Sequence, residues 1–476
     1  MPQKSTNMQI WTKNRKRTLV SALGFLLSIF AILCAMFWEQ IFDSIMAKEM
    51  VLRPNSEVFQ KWKNPPLSLN LDVYLFNWTN PADFKNHSTK PILEQCGPYR
   101  FVEKPDKVDI RWNPENSSLT YRRKSFFYFD INGSNGSLSD EITTLNPVAL
   151  RNGSADLTGV FNVYTGQNDI MKLGQMFSWN YKTHLGFFES YCGFINGSAG
   201  EFQPPNLTPK SIVKLFTPDM CRTIPLDYKE SQEIEGIKGY KYAGGQRSID
   251  NGSLYPENKC FCGGNCVPSG VMNISSCRFG SPVFMSYPHF YQADDFYLNQ
   301  IEGLQPQSDK HEFYMILEPK TGISLEVAAR FQVNMLVEPI RGISLYENIP
   351  RVFFPMIWFE QKVRITPDLA KNLKTLPYLL LGGQIFAGFL FVIGLILLCW
   401  YPIKYVWSAH KIQEVKVYAS ENGKTINSKQ SELKILESEK KTPDSSPLLE
   451  KTSQPTPEIV LKSPKSDKDV NDISQK

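Results

Sequence analysis

The stretch Lys259–Cys277, KCFCGGNCVPSGVMNISSC, places Cys260, Cys262, Cys266 and Cys277 within 18 residues, enough sulfur to hold a zinc ion. Closely spaced cysteines bind structural zinc in reducing compartments and pair as disulfides in oxidising ones, so local spacing leaves both chemistries open. Other reactive constellations are scarce. ENGKT at residues 421–425 ends like a phosphate-binding loop but lacks the glycine five residues before Gly423. His311 and Glu312 begin HEFYM as a zinc-protease motif would, but the second histidine is missing, and both read as strand residues. There is no G-x-G-x-x-G and no G-x-S-x-G. With five histidines scattered along the chain, no catalytic, cofactor-binding or metal-ligating set emerges, and the sequence predicts no enzyme. The balance of 52 basic against 47 acidic residues gives no reason to expect a nucleic-acid partner.

The compartment must be read from the rest of the chain. Thr18–Trp38 runs 21 residues without a charge and follows Lys13, Arg15, Lys16 and Arg17; Leu376–Ile403 is again uncharged and precedes Lys404 and Lys411. Each is long enough to cross a bilayer as a helix. Bulky MFWEQ after the first run argues against a cleaved signal peptide. Basic clusters before the first span and after the second put both termini in the cytosol, so residues 1–17 form a short cytosolic tail and 39–375 a lumenal or extracellular domain. The ten Asn-x-Ser/Thr sequons, at Asn77, Asn86, Asn116, Asn132, Asn135, Asn152, Asn196, Asn206, Asn251 and Asn273, all fall in that domain. An oxidising lumen predicts disulfides rather than zinc among Cys192, Cys221 and the four clustered cysteines, although six cysteines allow fifteen connectivities. Cys96 is left over, and Cys34 and Cys399 lie in the spans; Cys399, near the cytosolic end of its helix, is a palmitoylation candidate with an ordinary apolar role as the alternative.

The elements that must position these residues are mostly strands. In LSLNLDVYLF the residues Leu67, Leu69, Leu71, Val73 and Leu75 alternate with Ser68, Asn70, Asp72, Tyr74 and Phe76, predicting a strand with one buried face. KVDIRW and LTYRRKSFFYF flank the turn NPENSS as a hairpin. EFYMILE and ISLEVAARFQVNMLVE flank PKTG, with Ile323, Leu325, Val327, Ala329, Phe331 and Val333 on one side. TPKSIVKLF, from Thr208, carries a Thr-Pro helix start, and EQIFDSIMAKEMVL after the first span has helical spacing. The predicted class is predominantly β with some α: one large domain between two transmembrane helices, a barrel being attractive because closure removes exposed edges.

The tail, residues 404–476, is polar and nearly charge-balanced, which predicts disorder. Within it Asp444 precedes the pair Leu448 and Leu449 at the spacing of an acidic dileucine sorting signal, making a clathrin adaptor a candidate partner; Ser446 before proline is a phosphorylation candidate.

YLFNWTNP at residues 74–81, KPILEQCGPYRF at 90–101, FNVYTGQNDI at 161–170, FFESYCGFINGS at 187–198, SYPHFYQAD at 286–294, IEGL at 301–304 and EPKTGISLEVAARFQVNMLV at 318–337 resemble, in order, the blocks of the class B scavenger receptor family. That family includes fatty-acid translocase and the lysosomal integral membrane proteins. The resemblance runs from the first span through the second and excludes the tail. It implies disulfides Cys192–Cys260, Cys221–Cys277 and Cys262–Cys266, a barrel-like core with apical helices, and an internal apolar tunnel. It also implies binding of lipids, fatty acids or lipoproteins, of anionic phospholipid or microbial and dying-cell surfaces, and residence at the plasma or endosome–lysosome membrane. Lipid uptake or transfer is the leading function; phagocytic recognition and lysosomal sorting are the alternatives. The chain departs from the pattern in one place. Blocks resembling the family at DEITTLNPVAL and GVFNVYTGQND are joined by only RNGSADLT, where the family carries most of its apical helical segment.

Overall fold

A computed structural model describes residues 3–65, 69–85, 89–145, 159–342, 347 and 349–421. The chain divides into two compact units. The smaller, Met1–Ala22 with Ile396–Lys476, is helical where described, and Arg17 sits 5.7 Å from the ring of Tyr401. The larger, Leu23–Leu395, contains the sheet.

Thirteen strands form it: β1 Leu69–Trp78, β2 Leu93–Asn113, β3 Ser118–Phe129, β4 Val160–Tyr164, β5 Met176–Trp179, β6 Val213–Thr217, β7 Arg222–Ile234, β8 Ile237–Ala243, β9 Val271–Asn273, β10 Val283–Ser286, β11 Tyr314–Leu317, β12 Ser324–Val337 and β13 Val352–Arg364. Their order is β5-β4-β3-β2-β1-β13-β12-β11-β8-β7-β6, with β10 and β9 branching from β12. Both expected hairpins form: β2 and β3 turn through Pro114–Asn116, with Ser117 left-handed at φ 52°, and β11 pairs with β12.

The two ends of this order, β5 and β6, are stapled together. Met176 N–H donates to Gly197 O at 2.9 Å, Ser198 N–H to Lys214 O at 2.9 Å, and Phe216 N–H to Ser198 O at 2.9 Å. Gly197 has φ +87°, and a Cβ there would stand 2.5 Å from Lys214 O, so only glycine permits the approach. The sheet is therefore a nearly closed barrel, and its edges are satisfied as closure requires.

One expectation fails instructively. Thr208–Phe216 is not a helix; a turn in which Ser211 N–H donates to Thr208 O leads straight into β6, because Val213, Leu215 and Phe216 gain cross-strand partners in β7 that outweigh a local start signal. On β1 the most buried residues are Asp72, Phe76 and Trp78, while Leu71, Val73 and Leu75 are half-buried. On β12 both sides are covered: Leu325 and Phe331 are buried on the apolar side, where Val327, Ala329 and Val333 are half-buried, and Glu326, Ala328, Arg330, Gln332 and Asn334 are buried on the other. Leu67 lies outside the described residues.

The helices Gln3–Met50 and Leu376–Glu421 contain the charge-free runs, and the stretches Arg15–Met50 and Pro367–Gln413 are long and apolar enough to cross a membrane. Within the larger unit they pack closely. Trp38 Nε1–H donates to Leu380 O at 3.0 Å, and a Cβ on Gly394 would fall 2.3 Å from Ser28 Oγ, a close approach of the kind small residues allow between spanning helices. The first helix continues to Met50, as its spacing predicts, and its Glu39 and Asp43 take Lys320 Nζ of the PKTG turn at 3.2 and 2.8 Å.

Candidate functional site

Antiparallel register puts opposite residues on one face, so the rows of the sheet can be followed strand by strand. One row runs Phe129, Phe101, Leu71, Gln361, Ala329; the next Tyr99, Val73, Phe359, Phe331; the next Leu75, Ile357, Val333. A fourth runs Val363, Val327, Met315, Tyr242, Tyr228. Within these four rows Gln361 is the one polar residue; Leu71, Val73, Leu75, Ile357 and Phe359 are half-buried, Tyr99, Phe331, Met315 and Tyr242 are buried, and farther along β2 and β3 the same face carries Glu103, Lys107, Arg123 and Ser125. Apolar surface left uncovered costs about 25 cal/mol per Å² against burial, so a wide half-covered apolar wall is a surface suited to apolar molecules.

The opposite face mixes charged residues with aromatic ones such as Tyr74, Phe76 and Trp358, and around β12 and β13 it packs against His289 and the turn at residues 308–312. Arg100 grips Asp72 with two 2.6 Å hydrogen bonds, and Tyr74 stacks on Trp358 at 3.8 Å. Arg330 donates to Glu360 at 2.8 Å and, through Nη1, to the carbonyls of Asp309 and Glu312 at 3.0 Å each, tying the overlying turn to the sheet. Glu312 receives Lys229 at 2.6 Å and Lys241 at 2.9 Å; its hydrogen bond raises the Lys229 ammonium above its ordinary value. His311 and Glu312 are not strand residues: Ser308–His311 is a short helix capped by Glu312, and β11 begins at Tyr314. Tertiary burial, invisible in the spacing, places them here.

At the centre His289 and His311 stack at 4.4 Å, 10° from parallel. Gln95 Oε1 accepts Trp358 Nε1–H at 2.7 Å, and Trp only donates, so the His289 Nε2 contact of 2.7 Å to the same oxygen is also a donation. His289 Nδ1 accepts Gln305 N–H at 3.1 Å and His311 Nδ1 accepts Gln307 N–H at 2.9 Å. These bonds assign both rings as neutral Nε2–H tautomers. Burial pushes His289 down to about 4, with Lys310 adding to it; burial, then His289, Arg330 and Lys310, push His311 down to about 3. The pair is separated by 22 positions in sequence and no local motif announces it.

The cysteine cluster divides. Cys192 is bonded to Cys260 and Cys262 to Cys266, with Cα separations of 6.0 and 4.8 Å. Cys221 and Cys277, expected as the third bridge, stand as two thiols in hydrogen-bond contact, which raises Cys221 and lowers Cys277. Packing brings the sulfurs together, but joining them is an oxidation. Cys96 is a free thiol opposite Leu75, and Cys399 is exposed on its helix. Of the sequon asparagines, Asn132, Asn135, Asn196 and Asn206 are exposed. Asn77, Asn116, Asn251 and Asn273 are half-buried, and Asn251 Nδ2 donates to Val267 O at 2.7 Å. Asn86, Asn152, Asp444, Leu448 and Leu449 lie outside the described residues.

A large, nearly closed sheet with one apolar wall, set between two helices able to span a bilayer, defines a membrane-anchored β protein built around an apolar surface. The chain belongs to the CD36 family, whose model matches residues 20–152 and 148–405. It is 44% identical over 438 residues to Protein peste of Drosophila melanogaster, covering 78% of this chain and 79% of that protein. Scavenger receptor class B member 1 of Mus musculus is 28% identical over 409 residues, covering 72% and 80%. Lysosome membrane protein 2 of Mus musculus is 27% identical over 447 residues, covering 78% and 92%.

Proposed function

We propose that this protein is a scavenger receptor that binds lipids, fatty acids or lipoproteins and passes lipid to the membrane, and that it is a receptor rather than an enzyme. The observation that carries the reading is the broad apolar face of a nearly closed sheet, whose central residues Leu71, Val73, Leu75, Ile357 and Phe359 are half-buried and would shield acyl chains at about 0.8 kcal/mol per CH₂. In this reading residues 18–38 and 376–403 span the bilayer, 39–375 lie outside the cytosol, and 1–17 and 404–476 are cytosolic. Cys221 and Cys277 oxidise to a third bridge in the lumen, and the exposed sequons carry glycans. The family match breaks and resumes at residues 148–152, which supports a shortened apex and leaves the sheet as the lipid-handling part.

The test is uptake of labelled oleate and labelled lipoprotein by cells expressing the full chain. Uptake should exceed that of untransfected cells and fall when Phe359→Asp puts a charge on the apolar face; uptake at background in cells with surface-exposed protein would refute the reading. A lysosomal station is the second reading, favoured by the match to a lysosome membrane protein and by Asp444, Leu448 and Leu449 as a clathrin-adaptor signal. Capture of microbes or dying cells without lipid accumulation would instead indicate phagocytic recognition through anionic surfaces.

A further inference from the structure

We infer that Arg222, at the start of β7, holds a small inorganic anion such as chloride inside the larger unit. This site lies outside the apolar rows of the sheet and does not depend on the lipid-binding reading.

A guanidinium carries five N–H donors and a charge that it keeps at neutral pH. Arg222 is 4% exposed, and among the described residues its one hydrogen bond is long: Nη2–H donates to Ser248 O at 3.4 Å. Its Nε–H is buried with no partner. Phe261 covers the group from one side, the guanidinium carbon standing 3.6 Å from the ring centre. That contact favours the cation but gives the N–H groups no lone pair to point at. Burial pushes Arg222 down to about 9, which leaves it charged at neutral pH. Tyr287 lies within electrostatic reach, but burial raises its hydroxyl above the ordinary value, so it stays a neutral phenol and cannot balance the charge.

The carboxylates on the surrounding segments are committed elsewhere. Asp219, in the turn before β7, lies 3.7 Å from Arg278. Asp227 on β7 and Glu257 on the segment that carries Phe261 both take Arg247, at 3.2 and 3.3 Å. Asp250, two residues after Ser248, accepts three backbone N–H groups and two serine hydroxyls, and Glu312 takes its two lysines. No described carboxylate therefore meets Arg222, and a desolvated charge left alone is strongly destabilising. Native proteins leave few buried donors unpaired, and one of their reasons is an ion that completes the pairing. Enclosure sets the size of that ion: a side chain 4% exposed is closed to the head of an organic molecule and open only to a compact anion. A chloride would accept from Nε–H and the free edge of the guanidinium in charge-assisted hydrogen bonds and cancel the charge. It would also fasten together β7, the Ser248 turn and Phe261, which stands between the disulfide cysteines Cys260 and Cys262.

The experiment follows the melting temperature of the purified full-length glycoprotein in detergent as sodium chloride replaces sodium isethionate at constant ionic strength. One site on the native state should raise the wild-type melting temperature with the logarithm of chloride, by a few degrees for each tenfold rise once chloride exceeds its dissociation constant. Bromide, close in size, should act as chloride does. Arg222→Met removes the charge, keeps a long side chain against Phe261, and should show no chloride response beyond that of isethionate. A wild type indifferent to the exchange overturns the site, as does a chloride response that survives in Arg222→Met. Should Arg222→Met fail to fold, Arg222→Gln, uncharged but still a donor, decides by the same loss of response.

Discussion

The buried histidine pair makes the protein's stability depend on pH in a direction that can be worked out. His289 and His311 are 6% and 4% exposed, and each Nδ1 is already occupied by a backbone N–H. A proton on either Nδ1 would meet that N–H, and the first charge would then repel the second ring 4.4 Å away, with Lys310 and Arg330 adding to the repulsion. In the unfolded chain both rings titrate at the ordinary value of about 6.5. The folded values, about 4 and about 3, are depressed, so between pH 6.5 and those values the unfolded state binds protons that the native state refuses. The stability conferred by keeping the rings neutral is complete above pH 6.5 and is lost as pH falls toward 4. At 1.4 kcal/mol per unit per group, acidification from pH 7 to 4.5 removes roughly 2–3 kcal/mol for each ring, roughly 5 for both. The assay is thermal unfolding of the full chain in detergent at pH 7.4, 6, 5 and 4.5, beside His289→Asn/His311→Asn. Asparagine Oδ1 retains an acceptor near the position of Nδ1 but does not titrate. The double variant should start lower, having lost the ring stack, and then decline less than the wild type; parallel declines over this window would refute the reasoning, since carboxylate titration is common to both proteins.

Three further outcomes are expected. Arg330→Met strands Glu360 together with the Asp309 and Glu312 carbonyls and should cost about 3–5 kcal/mol by denaturant unfolding, whereas Arg330→Met with Glu360→Gln should recover part of that. Peptide mapping without reduction should recover Cys221 joined to Cys277, and glycopeptide analysis should find Asn132, Asn135, Asn196 and Asn206 more fully occupied than half-buried Asn251. Recovery of alkylated Cys221 from the mature protein would contradict the first of these. Leu448→Ala with Leu449→Ala should raise surface abundance; unchanged abundance would count against an adaptor signal.

Much of this architecture was legible without coordinates wherever the cause is local. An uninterrupted apolar run such as Thr18–Trp38 meets the length of a bilayer regardless of its neighbours, and alternation along Leu69–Phe76 or Leu325–Val333 dictates a strand because side chains must point to opposite sides. Ordered sequence blocks added the class of protein. What only the tertiary structure decided depends on partners distant in the chain. Alternation showed that β1 and β12 have two faces but not how each is covered; packing buries Asp72, Phe76 and Trp78 on β1, and on β12 it buries Leu325 and Phe331 on one side and Glu326, Arg330, Gln332 and Asn334 on the other. Gly197 and Ser198 close the sheet through single bridges that leave no periodic trace, and β7 overrides the helix signal at Thr208. His289 meets His311, and Arg123 meets Lys107 and Glu201, because strand register and loop placement carry them together; composition can count such groups, but only the fold supplies the low-dielectric surroundings in which their charges acquire consequences.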